Sequence, residues 1–291
     1  MKRPFRLLCV VASACLFAAT ASTASAEFVI GVFDTSRATT ANIATGSLTV
    51  KSRESLLTHF PDATYATTPT LTSEFLAGVD TVILSSVADR DTGITPLHFF
   101  ERRALFDYVE GGGTALLVAE GYGPFLTASL SLLNTFGMAQ QDDGRVGWQN
   151  AIPYDDKYDH PLVNGPFGSS GGLILDGLAY LHVIGPYATP ISRHLGSNFP
   201  VLAAIERDAI APGSGRVVIL ADSSPFASLW DLPNAENLFL NSIDYLLPVP
   251  EPSALVLGGM ALVGFVLVGW RRRGRGWLTR GTAAAARKCF N

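Results

Sequence analysis

Cysteine is missing from the central part of this 291-residue chain. The three cysteines are Cys9, Cys15 and Cys289, so residues 27–247 contain none. That region therefore forms no disulfide, offers no thiolate to a metal ion and has no cysteine nucleophile.

A serine-nucleophile elbow is also missing. Residues 168–172 spell Gly-x-Ser-x-Gly, but they lie between a predicted Gly-rich loop and a predicted hairpin, not in the strand-to-helix turn that exposes the catalytic serine of α/β-hydrolases. A serine hydrolase would have to pair Ser223 or Ser224 with one of three histidines, and the missing elbow disfavours it. Those histidines are His160, His182 and His194.

Basic residues are scarce in the same region. Residues 27–247 carry 11 Lys and Arg against 24 Asp and Glu, a net charge of −13, whereas the whole chain has −4 because both ends are basic. A surface of this charge repels nucleic acids and anionic lipids, so we expect neither as a partner. Cations or basic partners remain open, and so does plain solubility.

The amino-terminal segment has the three parts of a secretory signal peptide. Lys2, Arg3 and Arg6 are basic, residues 7–19 are apolar, and Ala24-Ser25-Ala26 is a small-residue cleavage site. We predict that residues 1–26 are removed and that the exported domain spans residues 27–247.

Near the carboxyl end a Pro-Glu-Pro break, an apolar run and a basic cluster follow one another. The break is Pro250-Glu251-Pro252, residues 253–270 carry no charge, and Arg271-Arg272-Arg273 form the cluster. As a helix the apolar run would be about 27 Å long at roughly 1.5 Å per residue, close to the ~30 Å of a hydrocarbon core. We predict a membrane helix over residues 253–270, with the arginines and the basic tail 274–291 in the cytoplasm.

This order of features resembles the sorting signal of the PEP-CTERM family of exported bacterial proteins. The resemblance implies a Gram-negative host, an exosortase-type membrane protease as partner, and delivery to the cell envelope or the extracellular polysaccharide matrix of a biofilm. The chain would be held by one span and then released if the signal is cleaved. Family members usually end soon after the basic cluster, whereas residues 274–291 continue here, as a tolerated tail or through a misplaced stop codon.

Residues 27–247 alternate between strand and helix patterns. Residues 140–170 are predicted to form a polar, Gly-rich loop, and residues 173–184 an antiparallel hairpin. The alternation predicts an α/β domain in which a mostly parallel sheet lies between two helical layers, a three-layer sandwich. Strands are predicted at 28–33, 64–67, 81–85, 114–119, 201–206 and 216–221, and helices at 48–60, 73–77, 95–110, 125–136 and 238–247.

The helix at 95–110 has the clearest pattern. Thr95 is predicted as its N-cap and Pro96 as its first residue, and the glycines at 111–113 end it. Its predicted buried face consists of Leu97, Phe100, Ala104, Leu105 and Tyr108. His59 and His98 fall in helical segments, where packing or surface placement is the default.

Two segments of the domain resemble the class I glutamine amidotransferase-like superfamily, a flavodoxin-like fold. They are residues 99–118, where Gly111-Gly112-Gly113 precedes a buried strand, and residues 215–226 with Asn237 and Asn241. His160-Pro161-Leu162 fits branches of the superfamily that are not amidotransferases.

The resemblance implies a non-catalytic branch. Catalytic members carry a cysteine on the turn after the central strand and a later His and Glu. Here that turn is Glu120-Gly121-Tyr122-Gly123, with no thiol, and a late His-x-Glu pair is absent. Cysteine-dependent amidotransferase activity is therefore excluded.

Polar side chains follow three of the predicted strands. Because ligands of open α/β sheets bind beyond the carboxyl ends of the strands, we expect a site for a small ligand, a glycan or a cation there. The alternative is local, since such side chains also cap loop and helix amides. The candidate residues are Asp34, Ser36, Glu120, Asp222, Ser223 and Ser224.

Asp155, Asp156 and Asp159 form an acidic loop whose oxygens could hold Ca²⁺. The loop lacks the spacing of a known calcium loop, and a solvated acidic loop is the alternative. No cofactor is expected.

Two functions remain open from the sequence. The first is a non-catalytic exported module that binds or builds the envelope or matrix. The second is an envelope hydrolase that acts on a glycan or an amide through the carboxylates at the strand ends. The missing thiol and the missing elbow favour the first.

Overall fold

The computed structural model describes residues 28–121, 123–142, 148–176, 179–226 and 234–247. The predicted signal peptide, the Pro-Glu-Pro sorting signal, the membrane helix and the basic tail lie outside these residues. None of the helices in the described ranges is long and apolar enough to cross a membrane.

The described residues form thirteen strands, five α-helices and two short 3-10 helices, Gly123–Phe125 and Asn134–Phe136. The strands are β1 (Phe28–Phe33), β2 (Ala63–Thr68), β3 (Thr81–Ser85), β4 (Thr114–Val118), β5 (Ala139–Asp142), β6 (Trp148–Pro153), β7 (Asn164–Gly165), β8 (Gly168–Ser169), β9 (Leu173–Asp176), β10 (Ala179–Val183), β11 (Ala188–His194), β12 (Pro200–Ile205) and β13 (Val217–Leu220). The helices are α1 (Val50–His59), α2 (Ser73–Leu76), α3 (Phe99–Glu110), α4 (Leu126–Leu133) and α5 (Ala235–Leu246).

Nine strands form one mixed sheet in the order β2-β1-β3-β4-β13-β12-β11-β6-β9. The first five strands are paired in parallel, and the pairings from β13 to β9 are antiparallel. With β13 counted as the fifth parallel strand, the parallel half has the flavodoxin-like order 2-1-3-4-5. The predicted parallel core is present, but it is only half of the sheet.

Helices cover both faces of the parallel half. α1 contacts α5, whereas α2 and the turn that follows α4 both contact α3. All five residues of β4 are buried, although successive side chains of a strand point to opposite faces. Burial on both sides explains the continuous Val, Ile and Leu runs of the central strands.

Helix α3 begins later than the sequence predicted. His98 is its N-cap: the His98 ring accepts a hydrogen bond from the Glu101 amide, and the Glu101 carboxylate accepts one from the His98 amide. This capping box places Glu101 in the core and turns Phe100 to solvent, with 75% of Phe100 exposed. The predicted N-cap Thr95 and the predicted burial of Phe100 are therefore wrong.

The region from 139 to 194 differs most from expectation. Residues 140–170 contain strands, and β6 pairs with β11 and β9 inside the main sheet. β9 and β10 do not form a hairpin, because β10 pairs with β5 in a separate two-stranded sheet. β11 was not predicted at all; it contains Pro190 and its pairing with β12 is irregular, so its alternation is weak.

Candidate functional site

The ends of β4 and β13 bring four of the six predicted site residues together. The two strands are neighbours in register, with Val118 opposite Leu220. Beyond them the Ser223 hydroxyl donates to Glu120 Oε2 over 2.7 Å, and the Ser223 amide donates to the same oxygen over 3.3 Å. The Ser224 amide donates to Asp222 Oδ1 over 2.6 Å, and Asp222 and Ser224 are both buried.

The other two predicted site residues lie on the loop after β1. Asp34 Oδ1 accepts hydrogen bonds from both the amide and the hydroxyl of Ser36, over 2.9 and 2.6 Å. Two strand spacings separate β1 from β4, or about 10 Å. All six residues lie at the carboxyl edge of the parallel strands, in two groups. The hydrogen bonds that Asp34, Glu120 and Asp222 accept hold loops at that edge.

The crevice at the topological switch point of the sheet is filled by the chain itself. The strand order reverses between β1 and β3, the place where flavodoxin-like folds bind ligands. Residues 34–49, the long connection from β1 to α1, cover this place. Asn42 is buried there, donating to the Phe33 carbonyl over 2.6 Å and accepting from the Ala44 amide over 2.8 Å.

What remains of the crevice is a cavity of about 10 Å³, room for about one water molecule. It is bounded by Phe33 and Ser85 at the strand ends and by Asn42 and Ile43 of the connection. A substrate-sized ligand does not fit at this place.

The turn after β4 is closed as well. A Cβ atom on Gly121 would lie 2.2 Å from the Ala179 Cβ and 2.8 Å from Gln140 Nε2. Gln140 is buried and donates to the Ala221 carbonyl over 2.8 Å, which fixes the closing wall. The turn after β4 thus has no space for a side chain at residue 121.

Two of the three aspartates of the proposed calcium loop, Asp155 and Asp156, contact basic side chains. Asp155 Oδ1 lies 3.3 Å from the Arg193 guanidinium, and Asp156 pairs with the neighbouring Lys157 over 2.7 Å. Within the described ranges, no three His, Cys, Asp or Glu residues are grouped so that they could hold a metal ion. Asp155 and Asp156 thus each lie beside a cationic side chain.

Sequence reasoning missed a buried ion pair at the same edge. Arg37, 7% exposed, pairs with Glu101, 1% exposed, and also donates to the Thr95 carbonyl over 2.7 Å. Glu101 Oε1 accepts from the Leu71 amide over 3.0 Å. The pair therefore ties together the segments that follow β1, β2 and β3. The charged residue at the third position of α3 was its only sequence signal.

A second polar cluster lies at the opposite edge of the sheet. His160 Nε2 lies 3.1 Å from Glu206 Oε1, and the Tyr245 hydroxyl donates to Glu206 Oε2 over 2.5 Å. The hydrogen bond from His160 lowers the pKa of Glu206, while partial burial opposes it. Burial and then the Glu206 carboxylate raise the pKa of Tyr245. His160 Nδ1 accepts a hydrogen bond from the Leu162 amide over 3.2 Å, so both ring nitrogens of His160 are engaged in contacts within the domain.

Residues 248–273 match the family model of the PEP-CTERM protein-sorting motif. The motif stands where the sequence predicted it, and it implies export to the cell envelope and recognition by an exosortase. A comparison with curated proteins found no match.

Solved structures share the fold at low identity. The N-terminal domain of mmIFT52 is 18% identical with a TM-score of 0.52, covering 74% of this chain and 95% of that one. The cytoplasmic protein STM3548 from Salmonella typhimurium is 13% identical with a TM-score of 0.51, covering 76% and 100%. A ThuA-like protein from Bacteroides uniformis is 12% identical with a TM-score of 0.48, covering 78% and 94%. The first two establish the α/β fold and nothing beyond it.

Proposed function

We propose that this chain is an exported, exosortase-processed protein whose α/β domain is a non-catalytic binding or structural module of the cell envelope or its polysaccharide matrix. The sorting motif at 248–273 supports export and processing. The observation that carries the non-catalytic part is the filled switch-point crevice, since residues 34–49 leave a cavity of only about 10 Å³. Because residues 34–49 fill the crevice in which such folds bind substrates, we propose that partners bind the loops and the sheet edges of the domain.

The proposed route has three steps. The signal peptide is removed after Ala26, which leaves Glu27 as the first residue of the exported domain. Residues 253–270 then hold the chain as a single span with Arg271-Arg272-Arg273 in the cytoplasm. Cleavage near Pro250-Glu251-Pro252 finally releases the domain to the surface or matrix.

The mass of the mature protein tests this route. We expect a species that starts at Glu27 and ends near Pro252 in the medium of the native host. A chain with Ala at positions 250, 251 and 252 is the matched control, and it should stay in the membrane with residues 253–291 attached. If the unaltered chain also keeps residues 253–291, the domain is simply anchored and the exosortase step is rejected.

The alternative is an envelope hydrolase acting on a glycan or an amide. One observation favours it: Glu120, Asp222 and Ser223 lie together at the ends of paired strands. The Glu120→Gln variant decides between the two, because its amide oxygen can still accept from Ser223 but cannot act as a general acid or base. We expect no release of sugar or amide products by either form. Product release by the unaltered protein that Glu120→Gln abolishes would establish the hydrolase.

A further inference from the structure

Three aromatic rings lie exposed at the start of α3. Phe99 and Phe100 are 65% and 75% exposed, and the His98 side chain is 57% exposed. The Phe99 and Phe100 ring centroids are 5.6 Å apart with their planes at 74°, and those of His98 and Phe100 are 6.1 Å apart at 78°. We call these three residues the aromatic patch. Clustered exposed apolar rings on an exported domain mark an interaction surface.

Buried contacts of the neighbouring residue Glu101 fix the backbone that carries the aromatic patch. Glu101 follows it by one residue, is buried, and is fixed by Arg37 and by the Leu71 amide. The capping box fastens the His98 backbone to the same carboxylate. A surface that is already ordered loses little conformational entropy when a ligand binds.

The patch lies at the carboxyl edge of the parallel strands, beside acidic loops. The Ile94 amide donates to the Ser86 carbonyl beyond β3, and Arg37 of the β1 loop reaches the Thr95 carbonyl. These loops carry Asp34 and Asp89. Backbone hydrogen bonds from Asp91, together with further bonds from Thr92, lower the pKa of Asp89, so it is ionised at neutral pH. Rings that present apolar faces beside carboxylate acceptors suit a ligand with both C–H faces and hydroxyl donors.

The net charge of the domain limits which class of ligand the aromatic patch can bind, and the point where the chain leaves the domain locates the patch relative to that exit. The net charge of −13 over residues 27–247 disfavours anionic lipids and anionic polymers. The chain leaves the domain at Leu247, and Arg216 donates to the nearby Tyr245 carbonyl just before β13 begins. The exit is therefore at the opposite edge of the sheet. The aromatic patch and the end of α5 therefore lie at opposite edges of the sheet.

From this placement we propose that the aromatic patch is a binding surface for a neutral polysaccharide. The inference rests on the proposed function and assigns its ligand class. The apolar C–H face of a pyranose stacks on the electron-rich face of a phenyl ring, as the positive edges of aromatic rings do. Hydroxyls at the rim of the sugar donate to the neighbouring carboxylates. Two rings set at 74° can each contact a different sugar of one chain.

The test uses the full-length chain and matrix polysaccharide extracted from the producing cells, separated into neutral and anionic fractions. We expect binding to the neutral fraction, reduced at least tenfold in a Phe99→Ser, Phe100→Ser variant. Both side chains are exposed, so folding should be unchanged, which circular dichroism checks. Tyr158→Ser is the matched control, because Tyr158 is aromatic and 53% exposed but lies two residues before His160, which contacts Glu206 at the opposite edge.

A Phe99→Leu, Phe100→Leu variant separates ring stacking from general apolar contact. It keeps the apolar area and removes the π faces, so we expect the same loss of binding. Leucine variants that still bind would overturn the carbohydrate assignment in favour of an apolar protein contact. Binding that none of these substitutions reduces, binding to the anionic fraction alone, or no binding to either fraction would also overturn it. Failure of export or cleavage would instead reject the proposed function, because the binding assay does not depend on processing.

Discussion

At the residue scale, the Arg37–Glu101 ion pair joins two charged side chains inside the core. Both side chains are almost fully buried, and each satisfies backbone groups of other segments as well as its partner. Removing one partner of a buried pair leaves an uncompensated charge in the core, which is more costly than the pair is stabilising.

We therefore expect Glu101→Ala to lower the free energy of unfolding by about 3–5 kcal/mol at pH 7. Urea denaturation followed by circular dichroism measures it. Asp107→Ala is the matched control on the same helix, since Asp107 pairs with Arg103 at the surface and its loss should cost less than about 1 kcal/mol. Similar losses for the two variants would show that the Glu101 pair contributes no more than a surface pair.

The same carboxylate makes stability depend on pH. Burial would raise the pKa of Glu101, but hydrogen bonds from Arg37 and the Leu71 amide outweigh it and hold the pKa below the usual 4.5. The unfolded chain then takes up the proton first as the pH falls, so the contribution present at neutral pH is lost below about pH 4. We expect the difference in unfolding free energy between the unaltered chain and Glu101→Ala to shrink between pH 7 and about pH 3. A difference that stays constant would contradict this.

At the element scale, one face of α5 holds the turn at 164–171. Asn241, 1% exposed, donates to the Gly168 carbonyl over 2.9 Å and accepts from the Phe167 amide over 3.1 Å. Asn237 donates to the Ser169 carbonyl over 2.9 Å, one helical turn earlier. The turn fits closely, since a Cβ on Gly165 would lie 2.4 Å from both Asn241 Oδ1 and the Pro161 carbonyl.

Asn241→Ala should detach this turn. It leaves the Phe167 amide and the Gly168 carbonyl without their partner, at a cost of about 1–3 kcal/mol. We expect faster amide hydrogen exchange across residues 164–171 and unchanged exchange in β4 and β13. Asn237→Ala, whose contact is exposed, is the control and should have a smaller effect. Unchanged exchange at 164–171 in Asn241→Ala would show that the turn is held by other contacts.

The elements that the sequence predicted are those whose residues carry their own signal. The parallel strands β1, β3, β4 and β13 have unbroken buried runs, and their positions are confirmed within one or two residues. Helix α3 was found, but its start was misplaced because Thr95-Pro96 is a good local N-terminus. The Glu101 carboxylate pairs with Arg37, 64 residues away, and with the His98 amide. A tertiary contact of that range leaves no periodic pattern.

The antiparallel half and the details of the site were beyond such reasoning. β6 and β11 contain proline and polar residues and pair across long separations, so their alternation is weak, whereas β9 is apolar but pairs with β6 and not with β10 as predicted. The sequence placed Glu120 and Ser223 after two strands of one sheet, but it did not show that these strands are neighbours or that a 2.7 Å hydrogen bond joins the two side chains. It also could not show that residues 34–49 fold into the switch-point crevice. The burial of Asn42 in this segment depends on its hydrogen bonds with the Phe33 carbonyl and the Ala44 amide, and these form only in the folded domain.

At the scale of the whole domain, the two edges of the sheet have different roles. The first strand begins and the last helix ends at one edge, so both connections to the terminal segments are made there. The aromatic patch and the acidic loops occupy the other edge. The proposed polysaccharide surface therefore lies at the edge opposite to the first and last residues of the described domain.

Single-cysteine labelling tests this polarity, because residues 27–247 contain no native cysteine. Thr35→Cys lies on the exposed loop after β1, at the edge of the aromatic patch, and Ala209→Cys lies on an exposed loop at the opposite edge. In the full chain with Cys9→Ser, Cys15→Ser and Cys289→Ser, we expect the neutral matrix fraction to slow maleimide labelling at position 35 and to leave labelling at position 209 unchanged. Equal protection of both positions would place the polysaccharide elsewhere on the domain. Protection of position 209 alone would place the polysaccharide at the opposite edge of the sheet. The carboxyl ends of β1 and β3 would then be free of ligand, and the assigned polarity would be overturned.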